Sequence, residues 1–185
     1  MEDRRVRKSK TALKQALIAM LKKKDASKIT VKEICDLADV NRSTFYKNYA
    51  DIFELFKAVQ YDIFDEINET MDDNLWVSVG ADSTHRFLGF KETIYSIAER
   101  KEQLLLLSKN DMNDSFKINM LEYYMEKQKI ETEDIGLKYM FTYHTMGYFS
   151  VIYSWLEGGC VMPCDKVAEF IWNESANLRK ELASR

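Results

Sequence analysis

Apolar residues recur every three or four positions through most of the chain, which is the period of an amphipathic α-helix. No segment shows the alternation of apolar and polar residues that predicts a half-buried strand. Helix breakers are few, since Pro163 is the single proline and stands beside Gly158 and Gly159. The pattern therefore predicts an all-α chain.

Two amphipathic helices open the chain. Residues 7 to 24 carry the first apolar series, and three lysines at its end suit the negative end of the helix dipole. Thr30 and Glu33 have the spacing of a capping box, so a second helix is predicted to begin there and to end at Asp39. The apolar residues that we expect to face inward from this second helix are Ile34, Leu37 and Ala38.

A tight turn and a third short helix follow the second. Residues 39 to 41 read Asp-Val-Asn, which is a turn composition, and Asn41 is suited to cap a helix from Arg42 to about Tyr49. Phe45 is expected to lie in the core of this segment. Two short helices joined by a three-residue turn are typical of a helix-turn-helix.

The fourth predicted helix begins after Asp51, with Glu54 in its first turn, and extends from Ile52 to about Met71. Its apolar stripe is so wide that the helix must contact two neighbours. We therefore interpret it as the connector from an N-terminal helix-turn-helix domain, residues 1–50, to a helical domain over residues 51–185. Within the second domain, further helices are predicted at residues 85 to 100, 103 to 108, 115 to 128, 135 to 157 and 165 to 182.

The charge of the chain is divided between its two parts. The whole sequence has a formal net charge of -3, but its first fifty residues hold thirteen Lys or Arg and six Asp or Glu, a net charge of +7. The remaining residues have a net charge of -10. A basic block on an acidic body indicates a site for a polyanion, because Lys and Arg that neutralise phosphates release counterions.

Several function classes are disfavoured by what the sequence lacks. There is no apolar run of the roughly 18 residues that a membrane span needs and no apolar segment behind the charged N-terminus, so a cytoplasmic protein is expected. Cys35, Cys160 and Cys164 are interpreted as reduced thiols, and no nearby histidine completes a metal site with the last two. No nucleophile constellation, acid–base pair or cofactor loop is present, so we predict neither an enzyme nor a cofactor.

The outward face of the third helix carries hydrogen-bonding groups. A short helix of this kind fits the roughly 12 Å major groove of DNA, where Arg pairs with guanine and Asn with adenine. Hydroxyl groups and helix N-termini hold the phosphates. The residues predicted to bind double-stranded DNA are Thr30, Lys32, Asn41, Arg42, Ser43, Thr44, Tyr46, Lys47, Asn48 and Tyr49.

Residues 8 to 56 resemble the TetR/AcrR family of bacterial transcription regulators. The resemblance rests on the amphipathic first helix, on the Ile-Thr-Val-x-x-Ile segment from Ile29 to Ile34, on the turn over residues 39 to 41, and on Ser-Thr-Phe-Tyr-x-x-Tyr from Ser43 to Tyr49. It implies that Thr30, Thr44, Tyr46 and Tyr49 contact phosphates or sugars. It also implies that Arg42, Ser43 and Lys47 approach base edges.

Two positions depart from the family's pattern. Asp39 stands where the family usually has Gly, and Asp can adopt the left-handed conformation that such a turn needs. Ile52 stands where a phosphate-contacting Lys is frequent, which removes one cation from the expected interface. We expect Arg4, Arg5, Arg7 and Lys8 to offset part of this loss as a flexible arm.

The resemblance also implies the role of the second domain. In relatives it binds a small-molecule effector and dimerises through its last two helices. Aromatic residues that would line a cavity for an apolar or aromatic effector are Tyr61, Phe64, Phe87, Phe90, Tyr95, Tyr123, Tyr124 and Phe141. Residues expected at a homodimer interface are Tyr143, Gly147, Ser150, Val151, Val167, Phe170, Ile171 and Leu178. His144, among tyrosines, is either an interface histidine or a ligand contact.

The sequence therefore predicts a ligand-responsive repressor that binds a palindromic operator as a homodimer. A single recognition helix reads few bases, whereas two helices on a two-fold axis read half-sites roughly 34 Å apart. An alternative stays open, in which a TetR-like dimer serves as a co-activator or interaction module with weak DNA binding or none. The missing Lys at Ile52 and the acidic body favour that alternative.

Overall fold

A computed structural model describes residues 4–69, 83–110, 116–127, 134–176 and 180 of the chain. Within these ranges it contains nine α-helices, one short 3-10 turn and no strands. The prediction of an all-α fold is confirmed. None of these helices is both long and apolar enough to cross a membrane.

The helices follow one another with short connections. The first four are α1 (Arg4–Leu21), α2 (Val31–Ala38), α3 (Arg42–Asn48) and α4 (Ile52–Asn68). A 3-10 turn, Ala26–Lys28, stands between α1 and α2. The other five are α5 (Ser83–Glu99), α6 (Lys101–Lys109), α7 (Phe116–Lys127), α8 (Ile135–Glu157) and α9 (Cys164–Glu174).

The helix bounds agree with the predicted ones except at the N-terminus. α8 spans the predicted residues 135 to 157, but α1 begins at Arg4 instead of residue 7. The four basic residues expected to form a flexible arm are therefore its first turns. Arg and Lys are good helix formers, so the basic residues extend the helix. The predicted ends of the fourth helix near Met71 and of the last helix at Leu182 lie outside the described residues.

The chain divides into two compact units by its internal contacts. The first comprises Met1–Ile63 and Leu106–Phe116, and the second comprises Phe64–Leu105 and Lys117–Arg185. α4 and α6 each contribute residues to both units. The predicted domain boundary between residues 50 and 51 stays a prediction.

The first unit has a core of side chains from α1, α2, α3 and α4. Those that are fully buried include Leu13, Leu17, Ile34, Phe45 and Leu55. Burying a side chain of this size contributes roughly 1.5 to 3 kcal/mol relative to exposure.

One residue expected in that core is exposed. Leu37 is 54% exposed, whereas Ile34 and Cys35 are buried on the inner side of α2. Leu37 is two residues beyond Cys35, which places it about 200° around the helix from that side chain. The expectation that Leu37 faces inward was therefore wrong. The buried position of Cys35 confirms that a small apolar side chain suits it.

The second unit has an aromatic core. Phe64 packs on Tyr123 with ring centroids 5.4 Å apart, and Phe90 packs on Tyr148 at 5.8 Å. On the outside of this unit, Asp165 Oδ1 accepts a 3.0 Å hydrogen bond from the Tyr95 hydroxyl and lies 2.8 Å from Lys91 Nζ. These polar contacts join α5 to the first turn of α9.

Candidate functional site

The N-terminus of α2 is closed by a capping box, as predicted. The Glu33 N–H donates to Thr30 Oγ1 at 3.3 Å, and the Thr30 N–H donates to Glu33 Oε2 at 3.0 Å. Lys24 Nζ lies 2.6 Å from Glu33 Oε1. Hydrogen bonds from Lys24 and Thr30 lower the pKa of Glu33 to about 2. The entry to the helix-turn-helix is thus fixed by three side chains.

The turn between α2 and α3 depends on a left-handed residue. Asp39 has φ 52° and ψ 47°, and the Val40 N–H donates to the Cys35 carbonyl oxygen at 3.0 Å. The prediction that Asp adopts this conformation in place of Gly is confirmed. Because the helix stops there, the chain reverses within three residues.

Asn41 begins α3 as its N-cap, as predicted. Its Oδ1 accepts a 3.0 Å hydrogen bond from the Ser43 N–H and a 3.2 Å bond from the Ser43 hydroxyl. Such a cap is worth about 1 kcal/mol to a helix. Asn41 and Ser43 therefore have a local structural role beside their predicted contact with DNA.

The inner side of α3 is aromatic. Phe45 is fully buried, with its ring centroid 5.4 Å from that of Tyr46 and 6.0 Å from that of Tyr49. Tyr49 is only 5% exposed, and its hydroxyl is enclosed as well. Tyr49 lies in the core because α3 ends at Asn48 and the extended Tyr49 turns its ring inward. We therefore leave it out of the proposed interface.

The outer side of α2 and α3 holds most of the predicted DNA-binding residues. Those that are exposed are Thr30, Lys32, Asn41, Arg42, Ser43, Tyr46 and Lys47. Thr44 and Asn48 are half-buried, and Asn48 Nδ2 donates to the Thr44 carbonyl oxygen at 2.7 Å. Lys32, Arg42 and Lys47 make no ion pair or hydrogen bond with any described residue, so their charges are available to an anion.

The thiol in this segment is not a nucleophile. Burial raises the pKa of Cys35 above its usual value, although the positive charge of Arg42 acts in the opposite direction. A protonated, buried thiol packs as a small apolar side chain.

Two residues around this site were missed from the sequence. Lys24 fixes Glu33, and Asn110 at the end of α6 accepts a 3.3 Å hydrogen bond from the Ala26 N–H. The run of lysines at residues 22 to 24 gave a signal for the first. No sequence signal exists for the second, because 84 residues separate the partners.

The predicted effector residues lie in different places. Phe64, Phe90, Tyr123, Tyr124 and Phe141 are buried in the second unit. Phe87 is half-buried and packs on Trp172 at 5.6 Å. The structure therefore brings six of the eight residues into one aromatic unit.

The other two predicted effector residues are not in that core. Tyr61 belongs to the first unit, where Lys57 Nζ lies 5.3 Å from its ring centroid. Tyr95 is exposed and bonded to Asp165, so it does not line an interior wall. The role of the whole set in ligand binding stays a prediction.

The predicted dimer residues lie on α8 and α9. Tyr143 is 76% exposed, and Gly147, Ser150 and Phe170 are exposed as well. Val151 is half-buried, while Val167 and Ile171 are buried within the unit itself. Leu178 lies outside the described residues. With Ile135 and Tyr139, which are also exposed, Tyr143 and Gly147 form a stripe at four-residue spacing along α8, and we call it the α8 stripe.

Two open cavities adjoin the α8 stripe. The first has a volume of about 180 Å³ and is lined by Tyr143, His144, Gly147, Tyr148, Val151, Phe170, Ile171, Glu174 and Ser175. The second has a volume of about 470 Å³ and is lined by Ser150, Val151, Ser154, Trp155, Met162, Val167 and Phe170. None of the eight predicted effector residues is among the described residues that line these two cavities.

Comparison with known proteins gives one informative similarity. No protein-family model matches the chain. A segment of 61 residues is 36% identical to the uncharacterized HTH-type transcriptional regulator YxbF of Bacillus subtilis (strain 168). The segment is 33% of this chain and 16% of that protein, so the chain matches about a sixth of its relative's length. This similarity supports the class of helix-turn-helix transcriptional regulators.

Proposed function

We propose that the protein is a transcriptional regulator of the TetR/AcrR type, which binds a palindromic operator as a homodimer and is released by a small-molecule effector. The observation that carries the proposal is the outer face of α3, where Arg42, Tyr46 and Lys47 are exposed while Phe45 anchors the helix from beneath. The similarity to an HTH-type transcriptional regulator supports the same function.

DNA reading is assigned to the exposed polar residues of α3. Arg42 has the geometry to pair bidentately with a guanine in the major groove, and Lys47 offers a second cation one and a half turns further on. Lys32, on the neighbouring helix, suits a phosphate. Thr30 donates its hydroxyl proton to Glu33 at 2.8 Å, which leaves its oxygen lone pairs and not its proton for outside partners. We therefore expect Thr30 to contact phosphate only through a water or after its hydroxyl rotates.

Dimerisation is assigned to α8 and α9. The α8 stripe exposes large apolar rings beside Gly147, to which another helix can approach closely. A second copy on a two-fold axis buries the same stripe of both chains. It also supplies the second recognition helix that a palindromic operator needs.

Effector control is assigned to the aromatic second unit, and α4 is the helix that contributes residues to both units. An effector that binds better to the form with misplaced recognition helices shifts the population away from DNA. A coupling free energy of 1 to 3 kcal/mol gives roughly 5- to 150-fold weaker operator binding. The mostly apolar lining favours an uncharged, apolar or aromatic effector in the interior.

The test is selection of a binding sequence from a random duplex pool, followed by titration of the selected and random duplexes over a series of salt concentrations. We expect a preference for the selected duplex that persists as salt weakens both complexes. Arg42→Ala should reduce the preference at one base position by about 1 to 3 kcal/mol. Lys138→Ala is the matched control, because Lys138 is an exposed basic residue on α8, away from the helix-turn-helix.

No preference over random duplex at any salt concentration would overturn the proposal. The co-activator alternative is examined with Tyr46 and Lys47 both changed to Ala. Loss of regulation in cells together with loss of operator binding supports the DNA-reading role, whereas regulation that persists without operator binding contradicts it.

A further inference from the structure

The smaller cavity on α8 and α9 has an aromatic lining. Tyr143 and Phe170 are both at least half exposed, and the rings of His144 and Tyr148 complete the wall. Tyr143 and His144 meet edge to face, with centroids 5.3 Å apart. Aromatic faces carry negative electrostatic potential, which attracts cations.

The charge of this cavity has a single sign. Glu174 is the only described lining residue with a formal charge at neutral pH, with His144 counted as neutral. No described residue forms a salt bridge or hydrogen bond with Glu174, so its carboxylate is available to a ligand. No Lys or Arg is found among the described lining residues, so an anionic ligand would meet only repulsion here.

The dimensions limit what can enter. A volume of about 180 Å³ corresponds to about six water molecules, at roughly 30 Å³ each in the liquid. That is room for a compact headgroup. The second cavity shares Val151 and Phe170 with the first and continues past Trp155 and Met162. An apolar substituent on the headgroup therefore has a surface to lie on.

We propose that the cavity lined by Tyr143, Tyr148, Phe170 and Glu174 is a binding site for a small organic ammonium ion. The aromatic rings surround the cationic head, and the Glu174 carboxylate neutralises its charge. This site is separate from the interior of the second unit, to which the apolar effector is assigned, and it selects a ligand of different chemistry.

The experiment is calorimetric titration of the purified protein, without DNA, at constant ionic strength. The probes are choline and 3,3-dimethylbutan-1-ol, which has nearly the same shape but no charge. We expect choline to bind at least about tenfold more tightly than the neutral alcohol. Equal affinity for the two probes, or no heat from choline up to high millimolar concentration, would overturn the proposal.

Two variants locate the site. Glu174→Gln should weaken choline binding about three- to tenfold and leave the alcohol unaffected, because only the carboxylate charge is lost. Glu157→Gln is the matched control, since Glu157 is the exposed last residue of α8 and does not line the cavity. Glu157→Gln should bind choline as the parent protein does, and an equal loss in both variants contradicts the assignment.

The same face is assigned above to the homodimer, so the oligomeric state is measured alongside. Sedimentation velocity identifies protein concentrations at which the chain is monomeric, and the titrations are run there. Because no DNA is present, failure of choline binding leaves operator binding untouched. Failure of operator selection likewise leaves the choline result standing.

Discussion

The hydroxyl of Tyr123 on α7 donates a 2.6 Å hydrogen bond to Asp65 Oδ1 on α4. Lys127 Nζ lies 2.8 Å from the same oxygen and 5.3 Å from the centroid of the Tyr123 ring. Burial and the hydrogen bond to Asp65 raise the pKa of Tyr123 well above its usual value. The three side chains thus hold the last turns of α4 against α7 within the second unit.

Tyr123→Phe should lower the free energy of unfolding by about 1 to 2 kcal/mol. The ring stays packed on Phe64, but a hydrogen bond to a charged acceptor is lost, and Asp65 keeps Lys127 as a partner. Urea unfolding followed by circular dichroism measures the change. A variant as stable as the parent would show that the hydrogen bond contributes nothing net.

Local signals in the sequence predicted the helix-turn-helix closely. The Thr30–Glu33 box, the left-handed Asp39 and the Asn41 cap are each decided by residues within four positions, so reading the chain locally was sufficient. Burial is decided by neighbours far away in sequence. That is why Leu37 and Tyr49 were both placed on the wrong side, the first inward and the second outward.

The second unit was harder to predict from its sequence. Aromatic residues are so frequent there that helical periodicity cannot separate core rings from surface rings, and Tyr95 was assigned to a cavity although Asp165 holds it at the surface. The contribution of Leu106–Phe116 to the first unit has no local signal either. It depends on the contact of Asn110 with Ala26, which only the folded chain brings about.

Asp39→Gly should raise the stability by about 0.5 to 1 kcal/mol, and Asp39→Ala should lower it by a similar amount. At φ 52° a side chain with a Cβ is strained, and Ala lacks the short polar group that makes Asp tolerable there. Thermal unfolding of the two variants gives the order. Asp36→Gly is the matched control, because Asp36 is an exposed residue inside α2, where Gly costs about 1 kcal/mol. Stabilisation by both Gly variants would contradict the strain argument.

Glu33→Gln should destabilise the protein at neutral pH, and the difference should vanish in acid. The pKa of Glu33 is lowered from 4.5 to about 2 by Lys24 and Thr30, so the stabilisation is present above about pH 4.5 and is lost as the pH falls towards 2. Urea unfolding of both proteins across this range measures the effect. Lys24→Met should raise the Glu33 pKa, as followed by carbon-13 NMR of the carboxyl group. A pKa that stays near 2 in this variant would exclude Lys24 as the cause.

Tyr148→Phe should leave the stability unchanged or raise it by up to about 2 kcal/mol. The Tyr148 hydroxyl is buried and has no hydrogen-bond partner among the described residues, so folding costs its hydration with no return. The expected sign is opposite to that of Tyr123→Phe, which makes the pair a matched comparison of two buried tyrosines. Urea unfolding of both variants under one condition decides it. A loss above about 1 kcal/mol at Tyr148 would reveal an internal partner for its hydroxyl.

Gly147→Lys should break the proposed homodimer while leaving the subunit folded. A Cβ built on Gly147 meets no atom within 4 Å, and the residue is exposed at mid-helix, so the substitution creates no clash inside one chain. A longer side chain also replaces Gly in a helix interior, which favours the helix by up to about 1 kcal/mol. In a two-fold dimer the new charges of both copies meet the same apolar stripe, where they are desolvated without partners.

Gly89→Lys is the matched control for this change. Gly89 is likewise a helical glycine whose Cβ would meet nothing within 4 Å, but it lies on α5. Sedimentation equilibrium should show monomers for Gly147→Lys and dimers for Gly89→Lys, with unaltered circular dichroism in both. Because a monomer presents one recognition helix, Gly147→Lys should also lose most of its preference for a palindromic duplex over a single half-site. A stable dimer that retains the Gly147→Lys change would place the interface on another face of the second unit.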